Sequence, residues 1–234
     1  MEYLHPNLTL EIPAGCFPLS TDSMVLGDFV RLPGNARVLD LGAGCGTLGL
    51  MLCGKDAHCH VTGIELDPAA HKAALENIRR NCLQGRMESI CGDFRSLACQ
   101  FAPGSFSVCV SNPPYFSGGF ASTAAPLARQ DLCCTTQELC RSAGVMLKYG
   151  GDFFVVHKPE KLAHLIACGS SSGLEAKRLL LLRHRPDGPV SLIALQLRKG
   201  GKPGLVIEEA ALFHPDGTPT PYYRRVYHMD EHSI

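Results

Sequence analysis

Seven short apolar runs punctuate the chain, and each is followed within four residues by a glycine, a proline or an acid. They are Arg37–Leu41, His60–Glu65, Met87–Cys91, Phe106–Val110, Gly151–Val156, Lys177–Leu182 and Val190–Leu197. Runs of this length, so bounded, predict buried strands. Between them lie segments with helical spacing: Thr47 to Cys53, Asp67 to about Leu83, Thr135 to Leu147, and Pro159 to about Ser170. The second has Asp at the cap position and Pro at the first helical position. Ala70, Ala73, Ala74, Ile78 and Leu83 share one side of it, and Lys72, Glu76, Arg79 and Arg80 fall largely off that side. Strands alternating with helices predict a mostly parallel α/β sheet covered on both faces. The last two runs are separated only by Pro186-Asp-Gly-Pro189, so they predict an antiparallel pair at one edge. The expected architecture is Rossmann-like, with seven strands and an antiparallel edge strand. It forms one domain over 1–234, with a lead-in over 1–36, a core over 37–200 and an extension over 201–234. Ser117–Gln130, with little periodicity, reads as a mobile loop.

Composition narrows the class. Of 234 residues, 45% are hydrophobic and 19% charged, which supports a real core and excludes a disordered chain. Lys plus Arg equals Asp plus Glu, 22 against 22, so a polybasic tail is excluded. The charge is nevertheless uneven: residues 141–202 carry 11 bases and four acids, a local +7. Twelve cysteines include no CxxC pair and no zinc-finger spacing, and the opening Met-Glu-Tyr-Leu-His has no basic-then-apolar pattern, so no signal peptide is expected. They read as reduced packing residues, with no metal site. No apolar run approaches the ~20 residues that span a bilayer, so the expected protein is soluble and cytoplasmic.

The chemistry gathers after the predicted strands. Asp40-Leu-Gly42-Ala43-Gly44-Cys-Gly46 joins the first strand to a helix, and its glycines let the backbone turn sharply beside a ligand. Asp40 argues against a pyrophosphate and for a positively charged amino-acid group. Glu65 ends the second strand, 23 residues after Gly42, where an acid accepts both hydroxyls of a ribose. Asp93, followed by Phe94, is placed to accept from an exocyclic adenine amine. Asn112-Pro113-Pro114-Tyr115 follows the fourth strand. Its prolines hold the backbone nearly rigid. The Asn112 side-chain oxygen and the Pro113 carbonyl then both accept from one NH2 group, and Tyr115 offers a flat face to a planar substrate. Two such acceptors draw the amine hydrogens out of plane and localise the nitrogen lone pair for attack on a methyl group, without a strong base.

At these residues the chain resembles the class I S-adenosylmethionine-dependent methyltransferases, in the branch with the Asn-Pro-Pro-Tyr motif. Thr21-Asp22-Ser-Met-Val-Leu-Gly27-Asp28, Ala128-Arg129-Gln-Asp131 and the tail from Leu205 to Tyr227 look like the bacterial tRNA-valine adenine-N6 methyltransferases. The resemblance implies that Gly42, Ala43, Gly44 and Gly46 wrap S-adenosylmethionine, with Asp40 near its methionine part. Glu65 and Leu66 hold the ribose, and Asp93 and Phe94 the adenine. Thr21, Asp22 and Asn112 line the mouth. Asn112, Pro113, Pro114 and Tyr115 grip the target base, with Phe116 and Arg129 on the substrate. The product is S-adenosylhomocysteine, no metal takes part, tRNA is the partner, no membrane is involved, and the chain is a monomer or weak homodimer. Aspartate stands at 131 where a glutamate is expected, which leaves the substrate more open than the chemistry. The alternatives are a protein glutamine-N5 methyltransferase, a DNA or small-molecule amine methyltransferase, and a non-catalytic RNA-binding module. Only about 36 residues precede the first strand, which argues against the helical domain of the glutamine enzymes.

Overall fold

The computed structural model describes residues 2–5, 8–114 and 135–230. Ten strands and six α-helices are named here. A small hairpin, β1 (Glu2–His5) and β2 (Leu8–Leu10), precedes helix α1 (Thr21–Phe29). The central strands are β3 (Arg37–Leu41), β4 (His60–Glu65), β5 (Met87–Cys91), β6 (Phe106–Ser111), β7 (Leu147–His157), β8 (Leu174–Arg183), β9 (Val190–Lys199) and β10 (Val206–Ala211). The remaining helices are α2 (Thr47–Lys55), α3 (Pro68–Arg80), α4 (Thr136–Met146), α5 (Leu162–Ser171) and α6 (Pro221–Val226). A 3-10 turn covers Phe94–Cys99.

The sheet runs β10-β8-β9-β7-β6-β3-β4-β5. The expected α/β class holds, with two corrections. Eight strands, not seven, make the sheet among the described residues, because β10 pairs in parallel with β8. The antiparallel strand is β9, and it is internal, hydrogen-bonded to β7 on one side and β8 on the other. The hairpin signal at 186–189 fixed the reversal but not where the pair would insert.

Period-two alternation sends side chains to opposite faces. Val38, Val108, Phe154 and Ala194 join the core under α1, α2 and α3, while Leu39, Cys109, Phe153 and Leu195 join the core under α4 and α5. Phe29 of α1 meets Phe154 edge-to-face, with ring centroids 6.0 Å apart. Helix starts follow their caps. Asp67 accepts from the Ala69 N–H at 2.9 Å, and Thr135 with Glu138 forms a capping box on α4.

One buried polar residue ties the lead-in to the centre of the sheet. Asn77 lies on the apolar stripe of α3 and is 1% exposed. Its Oδ1 accepts from the Glu11 N–H at 2.9 Å, and its Nδ2 donates to the carbonyls of Glu11 at 2.9 Å and Cys45 at 3.0 Å. Replacing Asn77 with Ala removes all three bonds, one of them to the carbonyl of the buried Cys45. We expect a loss of about 2–4 kcal/mol, read as a lower urea midpoint at unchanged slope. Glu76→Ala, one residue away on the exposed face, is expected to cost under about 0.5 kcal/mol.

Candidate active site

Asp40, Glu65, Asp93 and Asn112 lie at or just beyond the C-terminal ends of β3, β4, β5 and β6. These strands are adjacent in the order β6-β3-β4-β5 and all parallel. From Asn112 to Asp93 is therefore three strand spacings, about 14 Å. Connections leave β3 toward β4 on one side, and β6 returns on the other. Such a switch point opens a crevice at the sheet edge.

The glycine loop is built for close approach. Gly42, Gly44 and Gly46 have φ of +78°, +56° and +86°. At Gly44 the left-handed conformation aims the backbone N–H at Glu65 Oε2, 2.7 Å away. The Gly42 and Ala43 N–H groups donate to the Ile64 carbonyl, both at 3.0 Å, so the loop is stitched to the end of β4. A Cβ at Gly42 or Gly44 would meet nothing within 4 Å, whereas at Gly46 it would press on the Met87 methyl at 3.0 Å. The first two glycines face open space and the third seats α2.

Glu65 is half-buried, and its other oxygen accepts from the Asp67 N–H at 2.8 Å. Asp40 is 1% exposed, and neither of its oxygens has a hydrogen-bond partner among the described residues. Burial first, and then the nearby Glu65 charge, push its carboxyl up to about 7. The Gly49 N–H, in the first turn of α2, draws it back in part. Asp93 caps the 3-10 turn through the Arg95 N–H at 2.8 Å, and both its oxygens face the Arg95 guanidinium. That pairing holds its carboxyl below the usual range. Phe94 packs against the core under α4.

Asn112 and Pro113 are half-buried and Pro114 is exposed. The Asn112 Nδ2 donates to Ser23 Oγ on α1 at 2.9 Å. Thr21 and Asp22 open α1, and the Thr21 hydroxyl meets the Tyr227 hydroxyl at 2.8 Å. Leu66 follows Glu65 and is half-buried. Tyr115, Phe116, Arg129 and the expected loop over 117–130 lie outside the described residues. Sequence reasoning missed Ser23, Asn77 and Arg95. Asn77 carried a signal, a polar residue in register with an apolar stripe, and Arg95 carried one in its spacing from a turn aspartate.

The basic stretch is partly paired: Arg141, Lys148, Lys158, Arg185 and Lys202 are exposed, and three of its other bases meet acids. Arg178 pairs with Glu208 at 2.9 Å and Arg183 with Glu209 at 3.8 Å, both acids on β10. Arg198 pairs with Asp152 at 2.8 Å. A cavity of about 560 Å³, lined by Arg31, Lys148, Lys177, Arg178 and Arg198, opens at the sheet edge opposite the glycine loop. No group of His, Cys, Asp and Glu suited to a metal occurs among the described residues. None of their helices is long and apolar enough to cross a membrane.

A doubly wound sheet with one reversed strand, carrying an acid-and-glycine crevice at its switch point, defines the Rossmann-like fold of class I methyltransferases. The methyltransferase small domain family model matches residues 22–167, and the chain belongs to that family. Similar proteins include the tRNA1(Val) (adenine(37)-N6)-methyltransferase of Bacteroides fragilis, 31% identical over 173 residues and 73% of each chain. That of Dickeya chrysanthemi is 33% identical over 187 residues, 79% of this chain and 74% of its own. That of Tolumonas auensis is 31% identical over 194 residues, 82% and 79%. Among solved structures, a predicted O-methyltransferase from Agrobacterium tumefaciens superposes with TM-score 0.75 at 19% identity, covering 89% of this chain and 96% of that one. A geranyl diphosphate C-methyltransferase from Streptomyces coelicolor, solved with S-adenosyl-L-homocysteine, gives 0.56 at 11%, covering 76% of each. These two likenesses show the fold.

The state of Asp40 has a measurable consequence. In the unfolded chain its carboxyl ionises near 3.8 and in the folded protein near 7. Between those values the folded state keeps the extra proton, so stability falls as pH rises, and the loss is complete above about pH 7. The full difference is roughly 4 kcal/mol. Asp40→Asn is expected to flatten the fall in urea-unfolding free energy between pH 5 and pH 8.

Proposed function

We propose that this protein transfers a methyl group from S-adenosylmethionine to the exocyclic N6 amine of an adenine in tRNA. The observation that carries this is Asn112 held half-buried after β6, three strand spacings from Asp93, in a family whose similar members carry that activity in their names. The residues present suit the cofactor. Asp40 is a buried acid with unpartnered oxygens, which a cationic amino-acid group satisfies. Gly42 and Gly44 face open space that a ligand fills.

When bound, S-adenosylmethionine supplies an electrophilic methyl group. Glu65, with one lone pair of Oε2 committed to Gly44, keeps acceptor capacity for the ribose hydroxyls. Asp93 faces Arg95 but retains lone pairs for the adenine amine. The Asn112 Oδ1 and the Pro113 carbonyl accept from the two hydrogens of the target amine. Pro113 and Pro114 fix the chain so that both acceptors stay aimed at one nitrogen. Tyr115 and Phe116 stack on the base, and Arg129 contacts a phosphate. An adenine in a single-stranded loop enters such a pocket without melting a duplex. The reaction needs no metal, leaves S-adenosylhomocysteine and takes place in the cytoplasm, on a monomer or weak dimer.

Purified protein incubated with isotope-labelled S-adenosylmethionine and unmodified tRNA is expected to yield labelled N6-methyladenosine on nucleoside mass spectrometry. Labelled N5-methylglutamine from a protein substrate, with unlabelled RNA, would replace this reading by its alternative. Asn112→Ala is expected to cut turnover on the order of 100-fold with cofactor affinity nearly intact. Glu65→Ala is expected instead to weaken cofactor binding at least about tenfold by calorimetry.

A further inference from the structure

The amide of Asn112 has two ends, and only one serves the reading above. That reading needs Oδ1 facing the substrate amine. A free asparagine presents Oδ1 and Nδ2 about equally, and a flipped amide would offer two hydrogens to an amine that already has two. A second group must therefore fix the amide.

Ser23 is placed to do this. It lies on the second residue after the α1 start, 6% exposed, and 89 positions from Asn112 in sequence. Its Oγ accepts from Asn112 Nδ2 at 2.9 Å. An oxygen that accepts there sends its own hydrogen elsewhere. Ser20 Oγ, the α1 cap, is 3.5 Å from it, and the Ser23 backbone N–H also points to that cap at 3.4 Å. The Ser23 hydroxyl hydrogen can go to Ser20 Oγ, which orders the chain from the Asn112 N–H to Ser23 and on to Ser20. Because the amide is planar, committing Nδ2 to α1 turns Oδ1 to the other side.

The helix that carries Ser23 is itself held. Lys55 Nζ donates to the carbonyls of Gly27, Asp28 and Val30 at 3.0, 2.8 and 2.6 Å. Asp28 pairs with Arg225 at 3.1 Å. α1 is thereby fixed at its far end as well as at its cap.

We infer that Ser23 is a positioning residue, selecting the amide orientation in which Asn112 accepts from the substrate amine. The inference rests on the amine-gripping role proposed for Asn112. In this role Ser23 acts on the substrate through Asn112. Its loss therefore affects kcat, with KM for cofactor and for tRNA within about twofold of wild type.

The test is a double-mutant cycle on the full chain with tRNA and S-adenosylmethionine. Ser23→Ala is expected to lower kcat about tenfold, the value of one hydrogen bond of roughly 1.4 kcal/mol. In an Asn112→Ala background the same change is expected to lower kcat less than twofold, because the amide it orients is gone. Calorimetric affinity for S-adenosylhomocysteine, unchanged across all three variants, confirms folded protein. Wild-type kcat in Ser23→Ala overturns the inference. So does an equal tenfold loss in both backgrounds, which marks a general structural effect, or a loss of S-adenosylhomocysteine affinity in Ser23→Ala. If Asn112→Ala itself keeps wild-type kcat, the amine-grip reading fails first and takes this inference with it.

Discussion

A carboxyl group taken out of water with neither oxygen hydrogen-bonded costs several kcal/mol when ionised, and Asp40 is in that condition at the centre of the sheet. The protein lives with it by keeping the proton up to about pH 7. Much of the neighbourhood follows from this. The neighbouring Glu65 accepts from the N–H groups of Gly44 and Asp67. Gly44 must then be a residue that tolerates positive φ. The loop is drawn onto β4, where Gly63 makes room: a Cβ there would come within 2.9 Å of the Ala43 methyl. A cation beside Asp40 would stabilise the ionised form that burial disfavours.

The crevice is assembled from distant parts of the chain. Asn77 joins the lead-in at Glu11 to the loop at Cys45. Arg95 ties the turn after β5 to Glu138 on α4, 3.6 Å away. β10 supplies the acids that neutralise Arg178 and Arg183. None of these residues belongs to a motif, yet each fixes an element that presents one.

The strands and helices of the core were legible because their signals are local. Alternation and apolar runs give strands, and Asp67-Pro68 announces α3 where it begins. The four candidate site positions were legible for the same reason, since each sits at or just beyond the end of a strand. What escaped depends on pairing between remote segments. β9 reads as an edge strand until β8 is known to lie beyond it, and 206–211 reads as a tail until it finds β8. Nothing local shows that Arg178 and Arg183 of the +7 stretch are paired, because their acids, Glu208 and Glu209, come later in the chain. Ser23 carries no local signal at all: a serine near a helix start reads as capping, and only the fold brings Asn112 to it.

The tie between α1 and α6 has a further meaning for how the protein comes into being. Thr21 meets Tyr227 across 206 positions, and Asp28 meets Arg225 across 197. A chain still on the ribosome, with β3 to β6 already folded, holds every glycine and acid of the crevice but has no α6 to seat α1. Loop closure over so long a span is among the last events of folding. The tie that holds α1 is therefore completed only after synthesis has passed the residues of α6.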